Sequence, residues 1–307
     1  MSKVIYWSPF HGQGQTSNLH ATAFIMGLLY RKKVLLMQTH FCQNNLESPL
    51  VGRNVGLHNS SDHELFDGVG LDIAVTYSIM KELKKDLLQK CCFTLPGTPI
   101  LLLPGTVVKN KETFDRDISS NVARVINDAD RCVDLVLIDV NSGEDKLSQQ
   151  LISLADLIVV NLTQHRHVLD KFFTDYGDRF LDHDKVFYLF GDYDDNSSYN
   201  IYNCRRKYSR LINSKNSGVI PYCTQFMDAQ NESKVISFMK KGLRKRKESP
   251  IELIISIVKK IFSSGYYYKD ETDYFFYRTK QSVEKMFHML NIPMKSNSKE
   301  GGIDADK

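Results

Sequence analysis

Short apolar blocks alternate along this chain with longer segments of helical period. Lys3 to Ser8 carries Val4, Ile5, Tyr6 and Trp7 in a row and reads as a short buried strand. Asn18 to Tyr30, rich in Ala, Leu, Ile and Met, reads as a helix, and Val34 to Met37 as a second buried strand. A polar stretch, Gln38 to Ser48, follows as a loop. Asp72 to Cys91 has a helix-like apolar pattern with lysines on its outer face. Ile100 to Leu103 is a strand ended by Pro104-Gly105, and Thr113 to Asp128 is helical. Leu135 to Ile138 is another buried strand, followed directly by Asp139. Ser148 to Leu154 is a helix that leads to the strand Leu157 to Val160. The series continues with helix His167 to Phe180, strand Val186 to Phe190, helix Tyr199 to Leu211 and a short strand at Gly218 to Pro221. Continuously apolar strands separated by helices predict a parallel sheet covered on both faces. The fold class expected is α/β, a doubly wound mostly parallel sheet with a C-terminal helical extension. In such sheets ligands sit at the carboxyl ends of strands, so the polar loops at Phe10, Gln38 and Asp139 should converge on one edge.

Composition changes this picture little. The 307 residues are 42% hydrophobic and 25% charged, as in an ordinary globular protein, with a formal net charge of +4. No run of apolar residues reaches the roughly 18 needed to span a bilayer. The segment MSKVIYWSP has no signal-peptide apolar region, and the six cysteines have no metal-ligand spacing, so a cytoplasmic protein with reduced thiols is expected. The basic residues do concentrate once. Six of the eight residues from Lys240 to Lys247 are basic, and Pro250 then opens PIELIISIVKKIF, whose Ile251, Ile254, Ile255, Val258, Ile261 and Phe262 repeat at helical spacing. Residues 240–262 therefore read either as a peripheral contact with anionic lipid, as a nucleic-acid contact, or as a helix packed on the sheet with a solvated basic face. Tyr266 to Leu290 is a further helix with an aromatic stripe, docked on the domain or offered to a partner. The tail from Lys295 is polar and glycine-containing, with the composition of a disordered segment. The expected organisation is residues 1–248 as a nucleotide-type domain, 249–290 as a helical extension and 291–307 as a tail.

The chemistry lies in the segment after the first strand. Strand, glycine loop and helix form the context of a phosphate loop: glycines let several N–H groups face one anion, and the helix N-terminus adds its dipole. Gly12, Gly14, Thr16 and Ser17 are in place, whereas Gln15 stands where a phosphate-loop lysine belongs. A plain strand-to-helix turn would read the same way from this segment alone. VDLVLIDVNSG (Val133 to Gly143) adds an apolar strand delivering an acid, ADLIVVNLTQ (Ala155 to Gln164) a further strand, and GVIPYCTQFMDAQNES (Gly218 to Ser233) closes the series.

In this order the segments resemble the deviant-Walker ATPases of the ParA/MinD family over about residues 1 to 245. The resemblance lays the family's K-G-G-x-G-K-[ST]-T loop on Phe10 to Ser17. Its first lysine becomes Phe10, the next glycine His11 and the second lysine Gln15. It implies nucleotide contacts from His11, Gly12, Gln13, Gly14, Gln15, Thr16, Ser17 and Pro221, the last lining an adenine pocket. It further implies magnesium ligation through Thr16 and Asp139, with ATP or ADP and Mg as cofactor. The family's D-x-D falls on Gln38 and His40, and its asparagine after the Val186 strand is replaced near Gly191-Asp192. With two lysines and the water-placing acid gone together, hydrolysis is expected to be very slow or absent, because each such group commonly contributes about 10²–10³ in rate.

Within the family the divergent loop looks most like the pilus-assembly members of the TadZ/CpaE type. Those imply an organising role, protein partners at a membrane machine, a homodimer and placement at the inner face of a membrane, with DNA less favoured. Many of them carry a receiver-like domain ahead of the ATPase domain, and this sequence begins at the phosphate-loop strand. Two other functions stay open: a working partitioning or division-site ATPase with substitute residues, and a tyrosine-kinase relative in which Tyr266, Tyr267 and Tyr268 form a C-terminal cluster.

Overall fold

The apolar blocks assemble into one eight-stranded sheet in the computed structural model, which describes residues 1–41, 46–52, 69–180, 184–247 and 271–294. The strands are β1 (Ser2–Trp7), β2 (Val34–Gln38), β3 (Phe93–Thr94), β4 (Ile100–Leu103), β5 (Leu135–Asp139), β6 (Leu157–Leu162), β7 (Val186–Tyr193) and β8 (Ser217–Pro221). They lie in the order β3-β4-β2-β5-β1-β6-β7-β8, and every pairing is parallel except β3 with β4. The strands are apolar throughout because both faces are covered. Alternate residues divide between two cores: Ile5, Trp7, Val136 and Ile138 on one face, Val4, Tyr6, Leu135 and Leu137 on the other.

The helices used below are α1 (Gln15–Phe24), α2 (Ser48–Val51), α3 (Leu71–Ile79), α4 (Lys85–Lys90), α5 (Val122–Asp130), α6 (Lys146–Ser153), α7 (Arg166–Asp175), α8 (Ile201–Lys207), α9 (Thr224–Asn231), α10 (Val235–Lys247) and α11 (Glu271–Met289). Three readings of the pattern are corrected. The segment Asp72 to Cys91 is two helices, α3 and α4, because Lys81 takes a left-handed conformation (φ 61°) that cannot propagate a helix. The segment Thr113 to Asp128 is also interrupted. A turn at Lys111–Thr113, capped by the Asn110 side chain, runs into a π-helical Phe114–Ser119, and α5 starts at Val122. The first helix begins three residues earlier than its apolar period, since Gly14 starts the turn and polar Gln15 to Ser17 fill it; a π-helical turn, Ile25–Leu29, continues it. The short β3, α9 and α10 are additions to the expected elements, although Val235, Met239 and Leu243 of α10 repeat every four residues and are buried. The apolar repeat at 251–262, Tyr266 to Tyr268 and the tail from Lys295 lie outside the described residues.

The C-terminal helix α11 closes the open edge of the sheet. Phe275, Phe276, Val283, Met286 and Phe287 are buried in the same core as Phe24 and Ile25. Its Ser282 hydroxyl accepts from the Val219 N–H (2.9 Å) and donates to the Val219 carbonyl (2.8 Å), supplying both partners that an edge strand lacks. Only glycine fits at the neighbouring position: a Cβ on Gly218 would stand 2.4 Å from the Ser282 hydroxyl oxygen.

Candidate functional site

The three polar loops converge at the carboxyl edge of the sheet centre. Parallel register places Tyr6 and Gln38 level with Asp139 on the strands either side of β5, and the Thr39 N–H donates to the Asp139 carbonyl at 3.0 Å. Between β1 and α1 the chain turns through two left-handed glycines, Gly12 (φ 77°) and Gly14 (φ 67°). Gly14 caps α1, so the amides of Gln15, Thr16 and Ser17 start the helix without intrahelical acceptors. That is the backbone of an anion cradle.

The side chains around it are arranged differently from a charged phosphate site. Gln15, which is buried, turns its amide onto the fully buried acid: Nε2 donates to Asp139 Oδ1 at 2.5 Å and to the Val140 carbonyl at 2.6 Å. The Thr16 hydroxyl donates to the other oxygen, Asp139 Oδ2, at 2.6 Å. Both carboxylate oxygens of Asp139 are thus engaged by the first two residues of α1. The remaining Gln15 oxygen is buried with no hydrogen-bond partner. Gln13 Oε1 accepts from the Thr163 hydroxyl at 2.6 Å, and Ser17 donates to Gln230 at 3.1 Å, so these two tie the loop to the residue after β6 and to α9. His11 is exposed at the loop's tip. Phe10 packs on the core and carries the Lys171 ammonium over its ring at 5.1 Å. Pro221 ends β8 opposite Tyr193, at a register shift, three strands away from β1.

An acid lies against the cradle from the far side. Asp192, left-handed at φ 46°, brings Oδ2 to 3.7 Å from where a Gly14 Cβ would stand. Burial pushes its carboxyl above the ordinary carboxylate range, and His165 opposes that shift.

Several contacts of this edge have no signature in the sequence. Within the polar run Gln38 to Ser48, Gln38 and Glu47 are buried, and Gln38 Nε2 donates to both Glu47 oxygens at 2.9 Å. The Gly105 N–H donates to Glu47 at 2.7 Å, and burial raises the Glu47 carboxyl. Both His40 ring nitrogens are buried without hydrogen-bond partners. On α1, fully buried His20 meets the Leu46 carbonyl at 3.0 Å, and burial lowers its pKa to about 4. Asn18 donates to Asn161 at 3.0 Å, whose own amide donates to the Trp7 and Val159 carbonyls. Asn161, polar inside an apolar strand, was the one visible signal; a glutamate in a polar stretch gives none.

Among the described residues no helix is long and apolar enough to cross a membrane, and no group of His, Cys, Asp and Glu could hold a metal on its own. No family model matches the sequence, and no curated protein matches it. Solved structures do match in shape. A ParA family ATPase from Chlorobium tepidum TLS superposes with a TM-score of 0.60 at 15% identity, over 77% of this chain and 92% of that one. The septum site-determining protein MinD of Pyrococcus horikoshii OT3, complexed with Mg-ADP, gives 0.57 at 14% identity, over 94% and 99%. A plasmid partition protein from Borrelia burgdorferi B31, bound to AMPPNP, gives 0.56 at 12% identity, over 94% and 99%. At these identities the likeness is one of architecture, and by that architecture the chain has the P-loop fold of the ParA/MinD-type ATPases.

Proposed function

We propose that this chain is a degenerate ParA/MinD-fold organiser: it binds nucleotide weakly through its loop backbone and does not turn it over. The carrying observation is the Gln15 amide on Asp139 and Val140, a neutral group in the lysine's place whose donors are spent on the acid and a carbonyl. The backbone cradle of Gly12 to Ser17 fits a phosphate group, and the Thr16–Asp139 pair fits the protein side of a magnesium ion. Nucleotide with magnesium would be held by His11, Gly12, Gln13, Gly14, Gln15, Thr16 and Ser17, with Pro221 toward the base and Thr16 and Asp139 toward the metal. A bound magnesium ion supplies charge neutralisation at the phosphates. What this chain does not bring is positive charge from its own loop, and Asp192 adds a carboxylate beside it. Phosphoryl transfer depends on positioned charge, so weak binding without turnover is the expected behaviour.

The organising role is read as that of a pilus-assembly type protein, with protein partners at a membrane machine, a homodimer and peripheral membrane contact through 240–262. Support comes from the basic α10, whose Lys240 and Lys241 are exposed, and from the continuation of the basic run to Lys247. A second reading, an active partitioning ATPase, is favoured by the Lys171 ammonium held at Phe10, a cation delivered by α7 near the missing first lysine.

Calorimetry with Mg-ATP and Mg-ADP, beside a steady-state phosphate-release assay, separates the two. Weak binding without release supports the organiser. Steady release that is abolished in both Asp139→Ala and Lys171→Ala establishes the active ATPase. Flotation on anionic vesicles, with and without residues 240–262, tests the membrane contact: equal flotation by both forms removes that segment from the proposal.

A further inference from the structure

Beyond β8, α8 and α11 flank a cleft of about 1010 Å³ that runs from Arg205 and Lys285 to Pro221 and Asp192. The stripe Tyr274, Arg278, Gln281 and Lys285 recurs every three or four residues, so one face of α11 lines it while the opposite face packs in the core. Arg205 enters from α8. Two of these cations meet at one backbone oxygen: Lys285 Nζ donates to the Ser217 carbonyl at 2.8 Å, and Arg205 Nη2 donates to the same oxygen at 3.3 Å while its Nε donates to the Ser217 hydroxyl at 2.9 Å. Arg278 stands beside Asp195 (3.3 Å) and over the rings of Tyr193 and Tyr274.

A strand-end carbonyl needs one neutral donor, not two half-buried cations. Among the described residues no carboxylate lies within ion-pair distance of Arg205 or Lys285, and the charged groups that act on Lys285 are Arg205 and Arg278. Burial and those two guanidinium groups lower the Lys285 ammonium to about 8. Like charges gathered in a cleft and partly desolvated are unfavourable until an anion joins them. Both side chains keep N–H donors beyond those spent on Ser217. The other end of the cleft carries the opposite sign, with Asp194, Asp195 and Glu271, and tyrosines lie between. That polarity matches a molecule with an anionic end and a hydroxylated or amino-bearing body.

We propose that the cleft between α8, β8 and α11 binds a phosphorylated small molecule, its phosphate on Arg205 and Lys285 with Arg278 alongside, and its body against the tyrosines and acids. The phosphate end of the cleft is separate from the phosphate loop, while its other end reaches Pro221 and Asp192, which lies against Gly14. Ser217 is the first residue of β8, at the amino edge of the sheet, whereas the loop follows the carboxyl end of β1, three strands away.

The test is calorimetry on the full chain with inorganic phosphate, ribose 5-phosphate and AMP, and with ribose and adenosine as uncharged counterparts. Binding is expected for at least one phosphate monoester and not for its uncharged counterpart. Arg205→Gln and Lys285→Gln should each weaken it about tenfold or more, as loss of a charge-assisted hydrogen bond does, while Thr16→Ala leaves it unchanged. Lys285→Arg, which keeps the charge and the carbonyl contact, should retain binding, and circular dichroism on each variant shows whether it folds. No heat with any phosphate, or binding lost in Thr16→Ala but kept in Arg205→Gln and Lys285→Gln, overturns the proposal. If both glutamine variants fail to fold, Lys285→Arg and Thr16→Ala decide it: the site stands if both bind like the parent and falls if Thr16→Ala alone loses binding.

Discussion

Placing a lysine in the glycine loop gives the sharpest test of the organiser. In Gln15→Lys, an ammonium replaces an amide that is now 2.5 Å from Asp139 and almost fully buried. A charge-assisted hydrogen bond to phosphate contributes about 1.5–3 kcal/mol, which is roughly 10- to 150-fold in affinity. The same ammonium is drawn to Asp139, and that competition offsets part of the gain. Affinity for Mg-ATP should therefore rise about tenfold, at the low end of the range. Turnover should not appear. On the proposed reading Phe10 and His40 supply neither the charge nor the water-placing carboxylate that turnover needs, and each such group contributes about 10²–10³ in rate. The assay is a pair of calorimetric titrations with phosphate release on the same samples. An affinity that stays within about twofold of the parent's would show that Gln15 is not the limiting group. Brisk release by Gln15→Lys alone would show that the rest of the machinery is intact, against the reasoning here.

Three further outcomes are expected. Ser282→Ala should destabilise the fold by about 1–3 kcal/mol in urea denaturation, because the buried Val219 N–H and carbonyl lose their shared partner; a loss under about 0.5 kcal/mol would mean that β8 does not depend on α11 for its edge. Acid should destabilise through His20. The folded chain keeps it neutral down to about pH 4 while the unfolded chain takes the proton near 6.5, so stability present above 6.5 falls across that window by up to about 3 kcal/mol. Glu47 works in the opposite direction, its raised carboxyl removing stability as pH climbs past the ordinary carboxylate range, so the comparison to make is with His20→Gln. That variant should flatten the acid limb of stability against pH, and an unchanged limb would remove His20 as its cause.

Seven of the eight strands and most of the helices between them were legible because each is a local pattern. A fully apolar block such as Val4 to Trp7, or Leu135 to Ile138, needs cover on both faces wherever it lies in the chain. The glycine turn was legible for the same reason, since Gly12 and Gly14 take left-handed backbone that few other residues tolerate. That Phe10 and Gln15 bring no positive charge to this turn could also be read directly from the sequence. Their contacts could not. The Gln15–Asp139 contact joins residues 124 positions apart, and it exists because β1 and β5 are neighbours in register. Lys171 on Phe10, Glu47 under Gln38, and the gathering of Arg205, Arg278 and Lys285 around β8 depend equally on which elements pack together. Hydrophobic period is fixed by each segment's own backbone geometry, so it survives in the sequence. The partners of a polar side chain are fixed by long-range packing, so in this protein the loop's shape was set locally and its charge environment was decided by the tertiary structure.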